Sequence, residues 1–171
     1  MSSLKEIAAE LLTSKKVNII IGYKSTGDRR TKPVFIESSE ETSQLVFDNY
    51  SLNNLAVYLT KKEIKDKGVI GIIAKGCDIR AIIQLINENQ IERDKVVIIT
   101  GHCDGVVKDF GLEMSDENLS GKCKVCADRI PTLYDQMIDG ESTRTFPQSD
   151  IKEKIDKFES MAPEKRFEFW N

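Results

Sequence analysis

The stretch from residue 67 to residue 101 constrains the fold of this chain more than any other. Residues 67–76, KGVIGIIAKG, form a continuous apolar run that ends in Gly. The next stretch, CDIRAIIQLINENQ, sets Ile79, Ile82, Ile83 and Ile86 on one face of a helix. A second apolar run, DKVVIITG, occupies 94–101. Strand, helix and strand in so short a span make a βαβ unit, which requires a parallel sheet covered on both faces. The expected fold is therefore α/β, a parallel or mixed sheet with flanking helices. Any cofactor site should lie at the C-terminal strand ends.

The flanking sequence supplies further elements. Leu4, Ile7, Ala8, Leu11 and Leu12 repeat at helical spacing behind a capping Ser3. VNIIIGY (17–23) reads as a buried strand and PVFIES (33–38) as a second short one. KSTGDRRTK (24–32) is expected to be a polar, basic connection between them. Short helices are expected in SSEETSQLVF, in SLNNLAVYLTKKEI from near Ser51, and in RIPTLYDQMI. Residues 102–122 lack apolar periodicity, and a loop of that length usually has a function. SDIKEKIDKFESM is amphipathic through Ile151, Ile155 and Phe158, and APEKRFEFW follows with Pro163 suited to a first helical turn. The expected organisation is an α/β cofactor-binding domain over residues 1–148 and a helical extension over 149–171.

Composition excludes several classes. With 171 residues, 40% of them apolar and 31% charged, the chain can bury a real core. A net charge of −3 with scattered Lys and Arg argues against a nucleic-acid binder. No apolar run approaches the roughly 20 residues of a membrane span, and the first residues lack a signal peptide's apolar core. A cytoplasmic location is expected, where cysteines are more often ligands or catalysts than disulfides.

The chain has four cysteines, in the pattern C-x25-C-x19-C-x2-C. Cys77 sits at the strand-to-helix junction of the βαβ unit, and Cys103 lies just past the next parallel strand. Neighbouring parallel strands end on one edge, so these two thiols can approach. The loop after Cys103 then brings back Cys123 and Cys126 in GKCKVC. Four thiolates suit a tetrahedral zinc or a 4Fe–4S cluster. Ligands from two strand ends and a loop are spread as a cluster needs. Gly76, Gly101, Gly105 and Gly121 allow close backbone approach. Cys77 also meets the positive end of a helix dipole. A dithiol redox pair is a third reading, but such a motif should open a helix after a strand. A buried Cys acting only as a small apolar residue is the bland one.

VIGIIAKGCDIRAIIQLINENQIERDKVVIITGHCDG followed by KCKVC resembles the beta-subunit family of deazaflavin-coenzyme-reducing hydrogenases and dehydrogenases. The resemblance covers most of residues 17–138. In that family a G-x-x-C turn, a Cys after the next strand and a K-C-x-x-C element hold one 4Fe–4S cluster, which implies Cys77, Cys103, Cys123 and Cys126 as ligands. A closer branch carries KGCDSRAI…LIQENQI, against KGCDIRAI…LINENQI here. Those relatives look like electron-transfer subunits that work with other redox modules carrying iron–sulfur clusters. Two departures stand out. Relatives usually have Pro before the second Cys, where this chain has His102, either a hydrogen-bond donor or spare ligand to the site or, more commonly, a solvent-facing imidazole. Relatives resembling MAPEKRFEFWN also continue into a ferredoxin-like segment with further cluster motifs.

The resemblance also implies a flavin, usually FAD, in the N-terminal part. Lys24, Arg29, Arg30 and Lys32 surround a Gly and suit a pyrophosphate. Asn53 and Asn54 offer amides for a flavin edge, and Lys75 and Arg80 flank Cys77. No G-x-G-x-x-G is present. The bland reading is a solvated basic loop and an ordinary helix cap. With no acid–base pair or nucleophilic triad in view, the expected role is an oxidoreductase component that relays electrons, with the chemistry carried by its cofactors. A zinc-stapled α/β assembly module without redox activity is the competing reading. Phe167, Phe169 and Trp170 are candidates for docking a partner or for core packing.

Overall fold

The computed structural model describes residues 3–126, 129, 131, 133–140 and 151–170, without the side chains at 151, 152, 154, 169 and 170. The strands are β1 (Ile19–Gly27), β2 (Arg30–Ile36), β3 (Leu45–Val46), β4 (Ile70–Ile73), β5 (Val96–Thr100) and β6 (Gln136–Met137). They form one mixed sheet in the order β2-β1-β4-β5-β6, with β3 pairing beside β1. β1, β4, β5 and β6 run parallel, and β2 and β3 are antiparallel to β1. The helices are α1 (Leu4–Thr13), α2 (Lys62–Lys65), α3 (Gly76–Asn87), α4 (Gly121–Lys124), α5 (Ile151–Glu159) and α6 (Pro163–Trp170). This is the α/β architecture that the βαβ signature dictates.

Local sequence explains the elements that matter for the site. Ser3 and Glu6 form a reciprocal cap on α1, and Leu4, Ile7, Ala8 and Leu11 face the core. All four residues of β4 are buried, as are the first five of β1, so these strands are apolar on both faces. Crossover α3 buries Ile79 and Ile82 against the sheet. Ile83, expected on the same face, is 36% exposed, because the buried stripe is narrower than the apolar one.

Several expectations change. The 24–32 connection is almost entirely strand: β1 and β2 continue to a tight turn at Asp28 and Arg29, both at positive φ (47° and 56°). The helix expected from Ser51 is a 3-10 turn at Leu55–Tyr58 followed by the single turn of α2. There Asn54 Oδ1 accepts from the Ala56 N–H at 2.9 Å, tightening the backbone locally. SSEETSQLVF is likewise a 3-10 helix, Ser39–Gln44, leading into β3. The segment expected to be helical around 129–138 carries β6 instead. Asp135 explains it: its carboxylate accepts from Ile98 N–H at 2.7 Å and pairs with Arg93 at 2.8 Å, zipping the chain along β5. α5 and α6 form as expected, with Pro163 opening α6. Phe167 is 71% exposed, and the side chains of Phe169 and Trp170 lie outside the description.

Candidate functional site

Adjacency of β4 and β5 fixes the site. Thr100 Oγ1 donates to Ala74 O at 2.7 Å, and Ala74 N–H donates to Ile99 O at 2.9 Å, so the two C-terminal strand ends are tied together. Past β4, Lys75 caps α3, whose second residue is Cys77. Past β5, Gly101 and His102 lead to Cys103, whose N–H donates to Arg129 O at 3.1 Å.

The segment 102–122, aperiodic in sequence, is ordered by its own contacts. Asn49 Nδ2 donates to Gly105 O at 2.8 Å, and Val107 N–H donates to Asn49 O at 3.0 Å. Val107 and Leu119 form an antiparallel bridge. Val106, Leu119 and Cys123 bury a small apolar cluster with Leu52 and Met114. Ser120 N–H then donates to Val106 O at 2.9 Å, setting α4 so that Cys123 and Cys126 come back over the strand ends.

All four cysteines are free thiols and line one cavity of about 270 Å³. Its lining also includes Lys75, Arg80, Lys122 and Arg129 and, among the described residues, no Asp or Glu. Among the described residues, no three Cys, His, Asp or Glu side chains cluster tightly enough to hold one metal ion.

Burial pushes the Cys103 thiol up to about 11; a hydrogen bond from the Gly105 backbone opposes this, and the neighbouring Cys123 and Cys77 reinforce it. Cys77, although exposed as a residue at the cavity mouth, is also held above its usual range by desolvation of its thiol and then by Asp78. Lys75 and Lys122 pull it back. Cys123 is the buried member, and its sulfur accepts from Val106 N–H at 3.4 Å. Thiols that burial keeps protonated must release their protons to ligate a metal centre, and the cations lining the cavity favour the thiolate form that results.

Beneath the cavity lies a buried charge cradle. The side chains of Lys75 and Asp78 are each 2% exposed and pair at 2.8 Å. Lys75 Nζ also donates to Tyr23 OH and, at 3.0 Å, to Asn53 O. Tyr23 OH donates to Asn53 O at 2.6 Å, and Asp78 accepts from the Lys75 N–H at 3.1 Å. Burial and the Asp78 carboxylate push the Tyr23 phenol far up, so it stays protonated. Sequence reasoning missed Tyr23 and Asp78. The one available signal was a carboxylate directly after Cys77 in an otherwise apolar helical start.

A second cavity, about 230 Å³, adjoins the first and shares Lys75, Cys103 and Gly105 with it. His102 lines it, and its Nδ1 is buried without a hydrogen-bond partner. The imidazole is therefore not simply solvated. Phe47, Asp48, Asn49 and Asp104 complete its lining.

The residues expected at a flavin divide into separate places. Lys24 and Lys32 face each other across β1 and β2, while Arg29 and Arg30 line an open groove with Asp28 and Gly111. Arg29 lies 3.8 Å from Glu113. Lys75 and Arg80 line the thiol cavity instead. Asn53 contributes its backbone oxygen to the Lys75 cradle, and the Asn54 side chain is spent on Ala56 N–H.

Fold and site together define an α/β protein with a basic, four-thiol cavity at the C-terminal edge of its parallel strands. No family model matches the sequence, and no curated protein does. In fold the chain is similar to a chain of the F420-reducing [NiFe] hydrogenase complex from Methanosarcina barkeri, with a TM-score of 0.51 and 15% identity. That match covers 60% of this chain and 38% of the hydrogenase chain, well under half of the latter's length. It establishes a shared fold. No described helix is long and apolar enough to cross a membrane.

Proposed function

We propose that this chain is an electron-transfer component that holds one 4Fe–4S cluster on Cys77, Cys103, Cys123 and Cys126 and relays electrons within a larger redox assembly. The observation that carries the reading is the convergence of every cysteine in the chain on one cavity whose charged lining, among the described residues, is basic. A tetrathiolate iron–sulfur cluster is anionic, and cations with backbone N–H donors such as Val106 suit it. Cysteines drawn from two strand ends and a loop onto a cavity of about 270 Å³ suit a multi-atom cluster better than the single zinc of the competing reading. The fold shared with a chain of a hydrogenase complex supports a redox role and work alongside other subunits.

A flavin, FAD by the family resemblance, is the second half of the reading. What supports it here is the cavity next to the thiols, where the unpartnered His102 Nδ1 offers a hydrogen-bonding group to a ring edge. Arg29, Arg30, Lys24 and Lys32 on the hairpin remain candidates for its phosphates. When bound, a flavin supplies the exchange between two-electron and one-electron chemistry. The chain's own residues supply the walls and charges that hold it.

The test is a set of Cys77→Ser, Cys103→Ser, Cys123→Ser and Cys126→Ser variants prepared without oxygen. Each is expected to lose most of its iron and the visible absorption of the cluster. Any variant that keeps full iron content and spectrum removes that residue from the ligand set. An acid extract of fresh protein is expected to release a flavin, and an extract free of FAD and FMN ends that half of the proposal.

A further inference from the structure

The thiol cavity sits against an ion pair that no ligand set requires. Lys75 and Asp78 are 2% exposed, yet burying opposite charges stabilises a fold little compared with apolar residues of the same volume. Lys75 is held from several sides, by Asp78, Tyr23 OH and Asn53 O, so its ammonium cannot swing toward solvent. It lines the thiol cavity and the adjoining one, standing at their shared wall. Asp78 is not among the residues lining either, but its other carboxylate oxygen lies 3.8 Å from Cys77 Sγ. The pair thus places a fixed positive and a fixed negative charge beside the thiols, both buried, where water screens them less than at the surface.

We propose that Lys75 and Asp78 are positioning residues that set the reduction potential of the group bound in the thiol cavity. The inference rests on the cluster reading above. A bound cluster that accepts one electron from a one-electron reductant becomes more negative by one unit, and no bond forms or breaks. The Lys75 ammonium favours that more negative state and raises the potential. The Asp78 carboxylate disfavours it and lowers the potential. Tyr23, neutral and hydrogen-bonded to Asn53 O, holds the ammonium in place without adding charge.

The experiment is an anaerobic dithionite titration of the loaded full chain, followed by the electron-paramagnetic-resonance signal of the reduced cluster. Lys75→Met should shift the midpoint downward and Asp78→Asn upward, while Tyr23→Phe should move it less than either. Opposed shifts separate electrostatic control from a scaffolding role, because loosening the site would move both variants the same way. Equal midpoints, or shifts of the same sign, overturn the proposal. If Lys75→Met does not load, Asp78→Asn decides alone, since it preserves the acceptor geometry: an unchanged or lower midpoint refutes. If neither loads while the charge-free Lys75→Met/Asp78→Leu variant does, the pair is structural and the proposal fails. Unmodified protein that takes up no iron defeats the cluster reading itself and this inference with it, whereas a loaded protein with unresponsive variants defeats only the inference.

Discussion

The backbone N–H of Val106 donates to the sulfur of Cys123 across 3.4 Å, and both residues are buried. This bond joins the loop that follows β5 to the element that brings back the last two thiols. Cys123 thereby serves two ends, as a site residue and as the closing member of the small cluster with Val106 and Leu119. Cys123→Ala should loosen this segment even in metal-free protein. Amide exchange at Val107, which donates to Asn49 O, should accelerate several-fold, while the amides of Ile72 and Ile98 in the sheet stay protected. Unchanged exchange at Val107 would show that the loop is held without Cys123.

The Lys75–Asp78 pair also has a stability consequence. Lys75→Met leaves the Asp78 carboxylate buried without its cation and should cost about 3–5 kcal/mol in urea unfolding. Replacing both, as Lys75→Met/Asp78→Leu, should recover most of that loss, because no charge is then stranded. A single variant as stable as the parent protein would show that water reaches the carboxylate.

Proton linkage at Cys103 gives a pH prediction. Its folded-state value is raised from an ordinary 9.0 to about 11, mainly by burial. A raised value favours the folded state below pH 9, and this advantage is lost as pH climbs toward 11. Metal-free protein should therefore unfold more easily at pH 10.5 than at pH 8. Alkylation of Cys103 should also accelerate by about tenfold per pH unit between pH 8 and pH 10, following its thiolate fraction. A rate that levels off below pH 9 would contradict the buried, protonated thiol.

Close packing under the site sets a fourth outcome. A Cβ built on Gly22 would lie 2.5 Å from Leu45 Cδ2 and 2.7 Å from Ile73 Cδ1. Gly22→Ala should therefore destabilise the sheet by about 1–3 kcal/mol, read from thermal or urea unfolding. Because Ile73 ends β4, iron loading should also become less complete. A variant with parental stability would mean that these side chains turn aside freely.

Much of the architecture was legible because apolar runs of β4 and β5 and the stripe of α3 declare a parallel unit without any tertiary information. The shared edge of Cys77 and Cys103 follows from that unit alone. What was not legible depends on contacts distant in sequence. Residues 24–32 read as a polar loop, yet strand pairing extends the hairpin until only Asp28 and Arg29 turn. β6 forms because Asp135 meets Ile98 and Arg93, a match that no local pattern in RIPTLYDQMI encodes. The cradle was hidden for the same reason: Tyr23 and Lys75 are 52 residues apart. Tyr23 looked like an ordinary strand aromatic. Lys75 and Asn53 were picked out for a flavin, whereas the fold binds them to each other.

Metal and sulfide analysis of protein purified and reconstituted without oxygen tests the central claim most directly. The account predicts brown protein with about four iron and four sulfide per chain, lost when any of Cys77, Cys103, Cys123 or Cys126 is replaced. Colourless protein carrying one zinc, unchanged by anaerobic iron and sulfide, would contradict it.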